Sequence, residues 1–208
     1  TIMAQNIDKE LADGLRGLAE GSLLMLVAYI VFLGLAWLAG FWMFMPSHMP
    51  MHMREVPYEV SYPRLIALVV VLVFLVIAIY GLVSKIQPGL ASLGRWRQDL
   101  SGLVPLAVWG LAFGYVLLGV FALLSVLQLP GRFIALLLSL ILGVIGYIGL
   151  GITALKLGTY LGSGVFTLGG AFALISSLIP VFAPITWLVL YIEASGQAYR
   201  VAQGGLKS

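Results

Sequence analysis

The sequence predicts an all-α integral membrane protein, a polytopic bundle of about five transmembrane helices preceded by an N-terminal amphipathic helix. Three observations carry this. Of 208 residues, 62% are hydrophobic and only 9% are charged, where a soluble domain carries about 25% charged residues. Mean hydropathy is +1.10. The apolar residues gather in uncharged runs of about twenty residues or more, the length that crosses a hydrocarbon layer of about 30 Å. The same composition excludes disorder, collagen and disulfide scaffolds.

Residues 1–20 are the most polar stretch. Ile7, Leu11, Leu15 and Leu18 recur at helical spacing, and Asp8, Lys9, Glu10, Asp13, Arg16 and Glu20 fill the other face. This pattern predicts a helix lying in the membrane interface. No basic region, apolar core and cleavage site follow one another there, so no signal peptide is expected. The single transmembrane bundle then covers 21–192, with spans at about 21–45, 64–84, 103–128, 133–155 and 164–192, and 193–208 forms a polar tail.

The connections differ in kind. Segment 46–63 holds Pro46, Pro50, Pro57 and Pro63, and segment 85–102 holds Lys85, Arg95, Arg97 and Asp99 beside Trp96. Pro130-Gly131-Arg132 makes a tight turn. The last run is about 43 Å long as one helix, more than a bilayer needs, and Pro180 and Pro184 interrupt it. The expected form is one kinked or tilted span, with a broken pair of half-helices as the alternative.

Orientation follows from basic residues. With five spans and a cytoplasmic N-terminus, the inside segments carry six Lys/Arg and the outside segments five. If the final run folds back, the ratio becomes eight to three, which favours a re-entrant ending. The expected location is the plasma membrane with the N-terminus cytoplasmic.

The predicted span interiors contain no Asp, Glu, Lys, Arg or His. That argues against a proton-coupled transporter, haem held by two histidines, or an embedded hydrolase. No catalytic constellation is present, and the protein reads as a non-enzyme. An uncoupled pore lined by hydroxyls and carbonyls stays open as an alternative. A net charge of +3 without a basic cluster predicts no nucleic-acid partner, and the absence of cysteine excludes thiolate metal sites. Scarce Cys and Asn fit a hot or oxidising habitat.

Small residues stand at helix-packing spacing: Ala36 and Gly40, Gly110 and Gly114, and Gly143, Gly146 and Gly149. In lipid such residues let backbones approach. They serve packing inside the bundle, docking of another subunit's helix, or both. Trp42, at the end of span one, and Arg95, Trp96 and Arg97 mark the lipid interface, the latter three with the charge to meet head groups.

The chemically pointed segment is 43–53. It holds five of the seven methionines and both histidines. Thioether and imidazole suit copper, the thioether favouring Cu(I). The residues that would gather around one ion are His48, Met49, Met51 and His52. The alternative is a methionine-rich loop that fills irregular gaps.

Gly14-Leu15-Arg16 ahead of Gly21-Ser22-Leu23-Leu24, and the run Pro184-Ile185-Thr186-Trp187-Leu188-Val189-Leu190-Tyr191 followed by Arg200, resemble uncharacterised archaeal multi-span membrane proteins. The likeness covers about a quarter of the chain. It implies a membrane bundle and transfers no function. The expectation from sequence is a non-catalytic accessory subunit of a larger membrane assembly, such as a respiratory or copper-dependent oxidase, partnered by lipid and other integral subunits. A copper-binding or copper-delivery protein using 43–53 is the first alternative and an uncoupled small-solute channel the second. No cofactor is required on the leading reading; copper belongs to the first alternative.

Overall fold

The computed structural model describes the backbone of residues 2–44 and 62–203, with the side chains of 9–37 and 65–203. The elements are α1 (Ile2–Phe44), α2 (Tyr62–Gly81), a π-helical turn (Leu82–Ile86), α3 (Gln87–Trp96), the single turn α4 (Gln98–Ser101), α5 (Leu103–Val126), α6 (Arg132–Leu161), α7 (Gly164–Leu178), a 3-10 turn (Pro180–Phe182) and α8 (Ala183–Ala202). No strand occurs among the described residues. Four stretches are long and apolar enough to cross a membrane: Lys9–Trp37, Leu65–Trp96, Gln98–Val126 and Arg132–Leu161. The protein is a helical membrane bundle.

Residues 1–20 do not form a separate interfacial helix. Residues 2–44 are one helix of 43 residues, about 65 Å long at 1.5 Å per residue. Leu11, Leu15 and Leu18 are buried because protein, not lipid, covers their face. A Cβ placed on Gly14 would lie 2.6 Å from Leu93 Cγ, and one on Gly17 would lie 2.7 Å from Gly89 Cα. Glycine on both sides thus lets α1 and α3 touch backbone to backbone. The polar face is answered by charge: Lys85 Nζ lies 2.7 Å from Glu20, and Arg95 lies 2.9 Å from Glu10. These pairs let segment 85–96, expected as a loop, continue α2 through the π turn into α3.

The final run is also not one span. It breaks at Ile179–Phe182 into α7 and α8, which pair antiparallel. Ser176 Oγ and Thr186 Oγ1 hydrogen-bond at 2.8 Å near the tip. Gly169 faces Leu190 further down, and Ser163 meets Glu193 at the open end. Pro180 drives its predecessor Ile179 to an extended backbone (φ −127°, ψ 87°), and a proline cannot bond back to a helical carbonyl. The observed bundle is therefore four long spans plus a helical hairpin, not five spans.

Contacts between α5 and α6 and between α6 and α7 are likewise antiparallel and close. A Cβ on Gly146 would lie 2.5 Å from Leu111 N, and one on Gly151 would lie 2.9 Å from the Leu174 side chain. Gly162 (φ 61°) ends α6 in the left-handed conformation, and Ser163 then caps α7 by accepting from Phe166 N–H.

Gly89→Ala places its new methyl carbon 2.8 Å from Leu18 N, whereas a Cβ at Gly34 meets nothing within 4 Å. Thermal unfolding in detergent should show Gly89→Ala destabilised by about 1–3 kcal/mol through overpacking. Gly34→Ala should be neutral or more stable by up to about 1 kcal/mol from helix propensity. Equal melting temperatures for the two variants would remove the backbone contact as the reason for glycine at 89.

Candidate functional site: a hydroxyl ring at mid-bundle

Three tyrosines from three helices converge at the centre of the bundle. Tyr29 Oη (α1) lies 2.9 Å from Tyr147 Oη (α6) and 3.1 Å from Tyr115 Oη (α5), and Tyr115 and Tyr147 are 3.4 Å apart. Trp187 of α8, fully buried, donates its indole N–H to Tyr147 Oη at 3.2 Å. Phe74 of α2 packs edge-on against Tyr29 and Tyr115, with ring centroids 5.2 and 5.4 Å away. Five helices thus meet on one polar point. A phenolic hydroxyl in hydrocarbon is costly unless bonded, so the four polar groups supply one another.

Tyr115 and Tyr147 stand near the midpoints of α5 and α6. Glu20 and Lys85 stand about 14 Å along α1 from Tyr29 and about 16 Å along α2 and the π turn from Phe74, close to half the thickness of a hydrocarbon layer of about 30 Å.

Beside the ring is a cavity of about 250 Å³. Its polar lining comes from Tyr29, Tyr115, Tyr147, Ser139, Ser176 and Ser177, and its apolar walls include Phe32, Phe74, Leu118, Leu140, Val144 and Pro180. Gly143 lies on the wall, and a Cβ there would meet nothing within 4 Å. The hairpin tip supplies one side, because it ends about 10 Å beyond the level of Trp187 along α8.

Counting donors defines what the site can do. Each tyrosine has one O–H and can accept twice. Two O–H groups suffice for the two shorter ring contacts, the third faces the longer 3.4 Å contact, and Trp187 adds a donor from outside. Spare lone pairs remain on the ring oxygens. Ser139 donates to Gly114 O at 2.7 Å and Ser177 to Leu174 O at 2.6 Å, so these oxygens too keep acceptor capacity. The cavity is largely apolar and carries no charge, and the few hydroxyl oxygens that border it keep spare lone pairs.

The family described as a protein of unknown function, DUF973, matches residues 12–203. The chain belongs to the DUF973 family. No curated protein and no solved structure matches it. The DUF973 match accords with the resemblance to uncharacterised proteins and assigns no chemistry, so the function of this DUF973 protein rests on its own residues.

Of the residues singled out by sequence, Gly110, Gly114, Gly146 and Gly149 lie at the α5–α6 crossing. A Cβ on Gly110 would come 2.7 Å from Gly146 Cα, and one on Gly149 2.7 Å from Ala107 N. Gly143 borders the cavity, and Ala36 is exposed. Arg95 is paired with Glu10, while Trp96 and Arg97 meet Tyr160 of α6. His48, Met49, Met51 and His52 lie outside the described residues, as do the surroundings of Gly40 and the side chain of Trp42. Copper binding by 43–53 therefore stands as a sequence expectation.

Tyr29, Tyr115 and Tyr147 are not among the residues that the sequence singles out. The available signal was a lone tyrosine deep within each of three predicted spans, away from the interfacial belt where tyrosine usually sits.

Tyr147→Phe removes the acceptor for Trp187 and breaks two ring contacts, whereas Tyr115→Phe breaks only the two longer contacts. Unfolding in detergent should cost roughly 1–2 kcal/mol for Tyr147→Phe and about half that for Tyr115→Phe. The reverse order would contradict the network.

Proposed function

We propose that this DUF973 protein is a non-catalytic membrane-embedded binding or carrier protein. Its ligand is a small uncharged molecule, or the head of a lipid-like one, that donates hydrogen bonds: an alcohol or a primary or secondary amide. The uncharged, largely apolar cavity beside Tyr29, Tyr115 and Tyr147, whose hydroxyl oxygens keep spare lone pairs, carries this reading. A bare cation would meet no counter-charge at this depth and would pay heavily for dehydration. A volume of about 250 Å³ equals about eight waters at ≈30 Å³ each, which limits the polar part of the ligand.

The folded-back hairpin supports an orientation. Lys9, Arg16, Lys85, Arg95, Arg97, Lys156 and Arg200 belong to one end of the bundle, and Arg64 and Arg132 to the other. By the positive-inside rule the first end faces the cytoplasm, which in a plasma membrane makes the N-terminus cytoplasmic.

The accessory-subunit reading has a more limited basis, the open face of α1 around Gly34 and Ala36. The mass of the gently solubilised particle tests it. One chain is 22.4 kDa, and co-migration with foreign integral subunits is its expected outcome; a particle containing only this chain removes it.

Photolabelling tests the ligand class. Full-length protein in nanodiscs is exposed to a diazirine-bearing alkanol and, separately, to its methyl ether, which has no donor. The alkanol should label peptides of α6 and α7 around Tyr147 and Ser176 several-fold more than the ether, and Tyr29→Phe should reduce the difference. Equal labelling by both probes sinks the reading and leaves the cavity as a water-filled packing defect.

A further inference from the structure

The charged end of the bundle holds a second built feature. At Arg97 the chain leaves α3 in an extended conformation (φ −136°, ψ 109°) before α4 begins. This break turns the Arg97 side chain into a corner formed by two rings. Its guanidinium carbon lies 5.3 Å from the Trp96 ring centroid and 4.9 Å from that of Tyr160. The two rings meet edge to face, with centroids 6.0 Å apart and planes at 81°.

The charges around the corner are divided unequally. Lys156 Nζ lies 3.1 Å from both the carboxylate and the carbonyl oxygen of Asp99, and Tyr160 donates its hydroxyl to the same carboxylate. Arg95 is held by Glu10, and Lys85 and Arg16 by Glu20. Arg97 has no carboxylate within ion-pair distance among the described residues. It is exposed, oriented by two aromatic rings, and its N–H edge has no anionic partner.

Depth identifies what meets it. Tyr160 is about 20 Å along α6 from Tyr147. The hydrocarbon layer ends about 15 Å from the centre and the head-group zone about 20–22 Å from it. Arg97 therefore stands at the height of lipid phosphates. A guanidinium presents a planar fork that matches phosphate oxygens, and a stacked one is already ordered.

We propose that the α3–α4 corner binds the phosphate of one anionic membrane lipid, with Arg97 as the ligand-contacting cation and Trp96 and Tyr160 holding its guanidinium in place. The partner is the lipid head group rather than free phosphate, because the rings that orient Arg97 stand at head-group height. Lys156 and Asp99 neutralise each other beside it and leave the added anion to Arg97.

Native mass spectrometry of the full-length protein tests this after mild delipidation and titration with phosphatidylglycerol or phosphatidylcholine. The expected result is one preferentially retained phosphatidylglycerol, with retention lowered about tenfold in Arg97→Gln, as for the loss of one charge-assisted contact. Arg95→Gln and Arg132→Gln should retain the lipid as the parent does. Arg97→Lys, which keeps the charge without the fork, should fall between and also serves if Arg97→Gln fails to fold. No preference for phosphatidylglycerol, or equal retention by both Arg97 variants and the parent, overturns the proposal. Displacement by millimolar inorganic phosphate overturns the choice of a lipid head group.

Discussion

Close approach of helix backbones is the constraint on which this structure depends. In lipid, apolar side chains gain little by leaving hydrocarbon for one another, so helices are held by contact and by hydrogen bonds. Glycine supplies the contact at the α1–α3, α5–α6 and α6–α7 crossings. The polar interior follows from it. Ser139 reaches a carbonyl of the neighbouring helix because Gly114 presents no side chain, and hydroxyls on α1, α5 and α6 come within bonding distance of one another.

The polar groups divide by depth. Ionised side chains pair near one end, where water and head groups reduce the cost of charge, and the centre uses neutral hydroxyls and one indole. Neutral groups can be satisfied in pairs and triplets without a counter-ion. The exceptions are Ser22, fully buried, and Ser125, whose hydroxyls have no hydrogen-bond partner among the described residues. The largely apolar cavity borders these hydroxyls, so binding and packing chemistry arise from the same residues.

The membrane bundle was legible because hydropathy and run length report burial in lipid directly. The parts that were not legible depended on which surface a residue meets. The spacing of Leu11, Leu15 and Leu18 is the same whether a lipid surface or α3 covers them. Gly17 and Gly89 lie in stretches that read as polar, so no membrane-packing motif drew attention to their crossing. The reversal at Pro180 is hidden because the run is apolar on both sides of it; the information lies in Ser176 and Thr186, whose pairing sequence alone does not reveal. Tyr29, Tyr115 and Tyr147 each look unremarkable in their own span, and only their convergence gives them a shared role.

The α7–α8 hairpin has a consequence for assembly. Both its ends lie on the same side of the bilayer, and its tip is apolar: Leu178 and Val181 are exposed to the surroundings and Pro180 has no N–H to desolvate. Its ionisable residues, Glu193 and Arg200, stay on the side from which it enters. Insertion of residues 164–202 therefore carries no charged side chain from one leaflet to the other.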